Sequence, residues 1–287
     1  MSAIIVSGLV LGSIYALVAA GLSLVWGALG VFNFAHGVLI MMGAYVAWTV
    51  ASPDALGAGI YVGLLASVLF MGLAGAVLYW LLVRPWIGKP EAELSVIMTT
   101  IAGAIFLENL SLLLFGGHLK DLGQLVSGTV RIAGTVIQAQ NLLVILLAPV
   151  LLGGLAILLK QNKTGLAVRA IAQNRDAATL IGVRVERVYI ATFAASAILA
   201  GVSGVLIGGL FNLSPTMGAD PLLRAFIVVV FGGLGSLTGT ILGAYVVGMI
   251  EALSSYYIGI YYTPVVLFVV LIVILTVRPT GLLGRAA

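Results

Sequence analysis

The sequence predicts an all-α, polytopic integral membrane protein with eight or nine transmembrane helices, and three observations carry that prediction. First, 62% of the 287 residues are hydrophobic and only 8% are charged, whereas a soluble domain carries about 25% charged residues. Such a chain cannot cover a surface that faces water. Second, its apolar runs reach the ~20 residues that a helix needs to cross a bilayer. Third, those runs are continuous rather than alternating with a period of two. A backbone in lipid must pair its own polar groups, which leaves helices or closed barrels, and continuous runs select helices.

The candidate spans lie at 4–30, 31–52, 58–83, 94–116, 140–160, 188–211, 223–258 and 262–278. The opening run, MSAIIVSGLV, has no Lys or Arg before it and so lacks the charged region of a cleaved signal peptide. It reads as the first span. The run 223–258 is too long for one ordinary crossing and contains FGGLGSLTG. It reads as two short crossings or one broken helix, which is why the count is eight or nine.

Lysine and arginine placement sets orientation. Arg84 and Lys89 flank one short loop, and Lys160, Lys163, Arg169, Arg175, Arg184 and Arg187 fill the segment 160–187. Arg278 and Arg285 close the chain. These three segments are expected on the cytoplasmic side, with Lys120 and Arg131 of the loop 117–139 on the other. Counting back from Arg84 puts the N-terminus outside, and a cytoplasmic C-terminus then favours nine crossings. The net charge of +4 reports this loop placement rather than nucleic-acid binding. With no cysteine there is neither a disulfide framework nor a thiolate metal site.

An internal echo links VFNFAHGVLIMMGAYV (31–46) to FGGLGSLTGTILGAYV (231–246). Each ends in Gly-Ala-Tyr-Val after a glycine-interrupted stretch. Transporters are often built from repeats whose broken helices meet near the midplane, and abundance of Gly, Ala and Val is the alternative source of such an echo. Nine crossings would run both copies the same way, whereas an inverted repeat would oppose them.

Within 160–187, Ala167, Ile171, Ala178 and Ile181 form a partial helical stripe. Asn174 is placed to cap a short helix, Asp176 falls in its first turn, and Gly182 suits the position just past its end. A compact surface helix over 174–182 would fit a groove on another protein; a solvated basic loop that only fixes topology is the competing reading.

Three separated segments share a resemblance. GLAVRAIAQNRDAATLIGVRVERV with the YIATFAASAILAGVSGVLIGG that follows, NFAHGVLIMMGAYVA, and VVFGGLGSLTGTILGA resemble, in order and across nearly the whole chain, the permease subunits of bacterial branched-chain amino acid ABC importers. The resemblance implies a single transmembrane permease domain, 1–287, of type II-like ABC importer fold, with 160–187 as its cytoplasmic coupling loop. It implies four kinds of partner in the inner membrane and around it: a second permease subunit, identical or homologous, two cytoplasmic ATPase subunits, a periplasmic substrate-binding protein, and membrane lipid. The coupling helix maps onto Asn174, Arg175, Asp176, Ala177, Ala178, Leu180 and Gly182. The chain carries no G-x-x-x-x-G-K-[ST] phosphate loop: Gly88-Lys89 is followed by Pro90 and lacks the preceding glycine. No cofactor is therefore expected on this chain, and ATP would be hydrolysed by the partners.

Polar residues inside the runs are candidate pathway residues, since a charge at the bilayer centre costs ~2.5–3.5 kcal/mol even on lenient scales. Glu108 lies deep in its run beside Asn109, with Thr99 and Thr100 earlier on the same span. Glu108 reads as a pathway or proton-bearing group, or as a protonated carboxyl held by helix–helix hydrogen bonds. Asn33, His36 and Gly37 fall near a junction between spans. They read as a turn wetted by headgroup water, or as a broken helix lining the route with Asn33 as its cap. His36 lacks a second ligand at metal-binding spacing. Glu251 is expected near a membrane edge, and Asp220 and Pro221 in an outer loop that is either a turn or a contact for the binding protein. Gly201-x-x-Gly204 and Gly208-Gly209 read as close helix packing.

Two other functions compete with an importer subunit. An ion-coupled secondary transporter would use Glu108, but has no need of a docking helix in 160–187. An intramembrane enzyme would need a nucleophile–base or paired-carboxylate set that the spacing does not offer.

Overall fold

The structure is a computed structural model describing residues 1–53, 55–132 and 135–284. Among these residues it has eleven α-helices and one hairpin. Ser2–Leu29 form α1, His36–Ala51 α2, Ile60–Leu78 α3 and Ala92–Phe115 α4. Strands β1 (Thr129–Ile132) and β2 (Thr135–Gln138) pair antiparallel, so the all-α expectation gains a small hairpin in the loop 117–139. Then come α5 (Ala139–Gln161), α6 (Lys163–Gln173), α7 (Arg175–Leu180) and α8 (Val185–Gly208). The chain closes with α9 (Ala219–Gly232), α10 (Leu237–Tyr257) and α11 (Thr263–Val277).

Among the described residues, seven helical stretches are long and apolar enough to cross a membrane: α1, α3 with its extension to Trp86, α4, α5, α8, α10 and α11 with the turn that leads into it. Of the four remaining helices, α6 and α7 belong to the 160–187 segment, and α2 and α9 have 16 and 14 residues. Both depart from the expected spans. Residues 31–35 are not helical, so α2 begins only at His36. The run 223–258 is two helices, divided at Gly233–Ser236, with α9 starting earlier, at Ala219.

Local chemistry accounts for the breaks. Gly30 ends α1 in the left-handed conformation (φ 70°) and donates its N–H to Trp26 O at 2.7 Å, the glycine termination that other residues resist. Gly233 (φ 107°) ends α9, and the Ser236 hydroxyl caps α10 by accepting from Gly239 N at 3.1 Å.

Two faces follow from the contacts. Arg84 pairs with Glu186 at 2.6 Å, so the 84–89 loop and the 160–187 segment share one face. Leu29 at the end of α1 packs in the same cluster as Val83, Ile171 and Tyr189. Gly27 lies against Gly235, and Leu282 and Leu283 donate backbone N–H groups to Phe231 and Gly232. This basic face therefore also carries the 233–236 turn and the tail after α11. Arg285 lies outside the described residues. Lys120 sits on the far face, its ammonium 4.1 Å from the Trp48 ring centroid near the end of α2.

Helix α1 is the axis, packed against α10, α8, α9 and α5. Hydrophobicity does not drive helices together in lipid; close packing does. Gly43 of α2 meets Gly201 of α8, and a Cβ on Gly204 would run into the Ile40 carbonyl, so the expected packing role of Gly201 and Gly204 holds. In contrast α4, α5 and α11 are mostly exposed and form the periphery.

Candidate functional site

The two shortened helices meet. Gly218, just before α9, lies against the backbone of Gly37 in the first turn of α2. His36 bonds to Val18, in the middle of α1. At 1.5 Å per residue Val18 is about 16 Å from the basic-face end of α1, so both helices start near mid-depth. From there α2 runs to the far face and α9 to the basic face.

His36 holds this joint. Its side chain is fully buried, with Nε2 3.0 Å from the Val18 carbonyl and Nδ1 3.3 Å from the Ser196 hydroxyl. A carbonyl can only accept, so Nε2 carries the proton and Nδ1 accepts from Ser196. The ring ties α2 to α1 and α8. That overturns the reading of a turn wetted by headgroup water, because no surface of the ring is left for water. Among the described residues no cluster of three or more His, Cys, Asp or Glu could hold a metal.

Asn33 is also buried, and its Oδ1 accepts from Ala35 N at 3.1 Å. This is a turn ahead of the helix rather than the cap itself, a position taken by Ala35. Thr100 of α4 reaches the same segment: its hydroxyl accepts from Phe34 N at 3.3 Å and bonds Val96 O at 2.8 Å. Phe32 and Phe34 pack on Phe226 with centroids 4.7 and 6.5 Å apart. A cavity of about 420 Å³ lies beside this joint, lined by Leu22, Asn33, Leu222, Phe226 and Phe268 among others.

The remaining candidates on α4 do not join them. Thr99 bonds back to Leu82 O and Ser95 O. Asn109 is exposed and donates to its own helix at Ile105 O, 2.8 Å. Glu108 is partly exposed on this peripheral helix and makes no hydrogen bond or ion pair among the described residues. The helix–helix hydrogen bond of one of the two readings of Glu108 is therefore not made among the described residues.

A charged cluster was missed. Arg224 of α9 donates from Nε to Glu251 at 2.9 and 3.2 Å, and the Tyr15 hydroxyl donates to Glu251 Oε2 at 2.8 Å. Glu251 is 6% exposed: it is an ion-paired interior residue, not one at a membrane edge. Asp220 and Pro221 sit in the first turn of α9, not in a loop, and Asp220 Oδ1 lies 3.7 Å from Arg224 Nη1. The available signal was a pair of opposite charges, Arg224 and Glu251, within the over-long apolar run 223–258, with Asp220 and Arg224 one helical turn apart.

On the basic face, the Asn174 side chain accepts from Ala177 N at 2.9 Å, capping α7 as expected. The helix ends with Val183 N bonded to Ala178 O and Gly182 N to Thr179 O, both at 3.0 Å, around a left-handed Gly182. That double bond is the glycine-dependent Schellman ending. Ala178 packs with Tyr79, Ile171 and Tyr189, while Asn174, Arg175, Asp176 and Ala177 are exposed. Leu180 and Ile181 are 88% and 77% exposed, so Ile181 does not share the burial of Ile171 and Ala178 in the partial stripe. The segment before Asn174 is not loop but the separate helix α6.

The profile of the family described as "Branched-chain amino acid transport system / permease component" matches residues 4–275. The chain belongs to this family. The permease protein LivH of the high-affinity branched-chain amino acid transport system of Salmonella typhimurium is 33% identical over 294 residues, covering 97% of this chain and 94% of LivH. LivH of Escherichia coli is 34% identical over 295 residues with the same coverage. The corresponding Pseudomonas aeruginosa protein, BraD, is 31% identical over 293 residues, covering 98% and 95%. Among solved structures, a chain of PsaBC from Streptococcus pneumoniae in complex with Fab has a TM-score of 0.50 at 11% identity, covering 96% of this chain and 91% of that one. That likeness concerns fold alone. Membership of the permease family accords with a mostly helical membrane protein and favours an ABC importer subunit over the ion-coupled carrier.

Proposed function

We propose that this permease is the membrane-spanning subunit of an ABC importer that carries branched-chain or closely related amino acids across the bacterial inner membrane. Family membership over residues 4–275 supports the importer, and the names of the relatives support the substrate class. In this reading the fold is of the type II-like kind and the chain makes nine passes, two of them through the interrupted segments that contain α2 and α9. The basic face is cytoplasmic by the positive-inside rule, which puts the N-terminus outside and the C-terminus inside. The chain binds no cofactor and leaves ATP hydrolysis to two partner ATPases. A second permease, identical or homologous, completes the pathway, and a periplasmic binding protein delivers the cargo.

The observation that carries the mechanism is α7. It is a rigid unit, capped at both ends and anchored by Ala178 against the bundle, and it projects Leu180 and Ile181 unpaired from the basic face. Apolar side chains so exposed beside a basic segment suit a partner's groove. Movement of that partner would reach the spans through Ala178 and the Tyr79–Tyr189 aromatic contact. Asn33, Gly37 and Thr100 at the mid-depth joint would border the route, with His36 holding its geometry.

Reconstitution tests this reading. Proteoliposomes holding both permeases and both ATPases should take up leucine, isoleucine or valine only with ATP and the binding protein present. The purified chain alone should hydrolyse no ATP. Ala177→Glu, on the exposed side of α7, should uncouple ATP hydrolysis from uptake at normal membrane levels. Full ATP-driven uptake in that variant would remove α7 from the coupling path.

A further inference from the structure

We infer that the pocket bounded by Tyr15, Arg224 and Glu251 is a way-station that receives the ammonium and carboxylate groups of an amino acid part-way through the membrane, an inference that rests on the import reading above. Tyr15 stands halfway along α1 (Ser2–Leu29), about 20 Å from either end at 1.5 Å per residue. Its hydroxyl and the Arg224 guanidinium both bond Glu251, so the cluster sits at that depth. A cavity of about 380 Å³ opens beside it, lined by Tyr15, Asp220, Arg224 and Glu251 and by apolar side chains that include Ile14 and Met217.

The charge pattern is more than an ion pair needs. Arg224 and Glu251 are largely covered, at 20% and 8% side-chain exposure, but Asp220 next to them is 89% exposed. This exposed carboxylate lines the cavity, in keeping with the rule that charged groups within membranes line water-filled cavities or the bundle interior. One guanidinium against two carboxylates leaves the cluster at a net charge of −1. The guanidinium has five N–H donors; Nε bonds Glu251 and Nη1 the Asp220 carbonyl. The Nη2 donors make no hydrogen bond among the described residues. An α-carboxylate can take the Nη2 edge and an α-ammonium can take Asp220, with the apolar wall left for an aliphatic side chain. A site of this size, mostly apolar with a few oriented polar groups, is the usual form of a small-molecule pocket.

The chain contains no cysteine, which permits a direct test. Asn212 lines the cavity, and Asn212→Cys places one thiol there, with Ser255→Cys as a second position on the same cavity. In the whole complex, with cysteine-free partner subunits in lipid nanodiscs, a water-soluble methanethiosulfonate reagent should label the thiol. Millimolar leucine should slow the labelling. Isoamylamine and isocaproate, each lacking one of the two charges, should not. Adding Arg224→Lys, which keeps the charge but removes the planar fork, should raise the protecting leucine concentration about tenfold. An unlabelled thiol at both positions, labelling indifferent to leucine, or equal protection by either analogue would overturn the inference. ATP-dependent leucine uptake by the unsubstituted complex separates the outcomes. Uptake without protection defeats only the way-station, whereas absence of uptake defeats the import reading itself.

Discussion

Replacing His36 by leucine should destabilise the bundle, while replacing it by glutamine should nearly preserve it. The ring makes two interhelical bonds, to Val18 O at 3.0 Å and Ser196 Oγ at 3.3 Å. Interhelical side-chain hydrogen bonds in membranes average ~0.6 kcal/mol and reach ~1.7, so two of them amount to roughly 1–3 kcal/mol. Both partners have a fallback: the Val18 carbonyl already belongs to the α1 ladder, and a serine hydroxyl can turn back to the carbonyl four residues earlier. The expected loss for His36→Leu is therefore at the low end, ~1–2 kcal/mol. Glutamine can donate to Val18 from its amide and accept from Ser196, and should cost under ~0.5 kcal/mol. Unfolding of the purified chain by SDS in mixed micelles, followed by tryptophan fluorescence, measures both. A leucine variant as stable as the original, or a glutamine variant as weak as leucine, would refute the assignment of His36 as the tie between α2, α1 and α8.

Three further outcomes are expected. Gly204→Val should lower membrane levels sharply, because its Cβ enters the Ile40 carbonyl and overpacking costs ~1–3 kcal/mol or more; Gly153→Ala, where nothing lies within 4 Å of the new atom, should be neutral or slightly stabilising on the same immunoblot. Glu108→Gln should leave uptake within about twofold of the original, since the carboxylate sits on a peripheral helix with no partner among the described residues; loss of uptake at normal levels would return Glu108 to the pathway. Ala178→Arg should lower thermal stability as well as uptake, because that side chain is buried among Val168, Tyr79 and Tyr189 and an unpaired charge there has no compensation.

Long apolar runs, lysine and arginine clusters and terminator glycines are local signals, and each located its element: the helix caps at Asn174 and Gly182 and the break in 223–258 were all legible. Depth and partnership are not local. Position along the chain relative to a loop suggests a membrane edge for Glu251, and for His36 leaves a wetted turn as one of two readings. Their real surroundings are set by residues 18, 160 and 236 positions away. Arg224 escaped notice because one arginine barely changes the hydropathy of a long run. Glu108 drew attention for the opposite reason: an isolated carboxylate is conspicuous in sequence even where the fold leaves it at the edge.

The internal echo joins two segments that are not the pair meeting at mid-depth. It aligned α2 with α10; α2 runs from mid-depth and α10 from the basic side, both towards the far face, so they are parallel. The opposed pair is α2 and α9, which leave one mid-depth point in opposite directions with their N-terminal ends together. If the joint is a single mechanical contact, its two glycines should act as one unit. A Cβ on Gly37 would meet the Gly218 carbonyl at 2.8 Å and Leu222 at 3.0 Å, and one on Gly218 would enter the Gly37 backbone. Either alanine forces the same two helices apart at a cost of ~1–3 kcal/mol; once they are apart, the second methyl finds the space already made. Gly37→Ala and Gly218→Ala together should therefore cost clearly less than the sum of the singles, with a coupling above ~0.5 kcal/mol in SDS unfolding. Additive losses would mean that α2 and α9 yield independently, and that a displacement of α9 does not reach α2 through this contact.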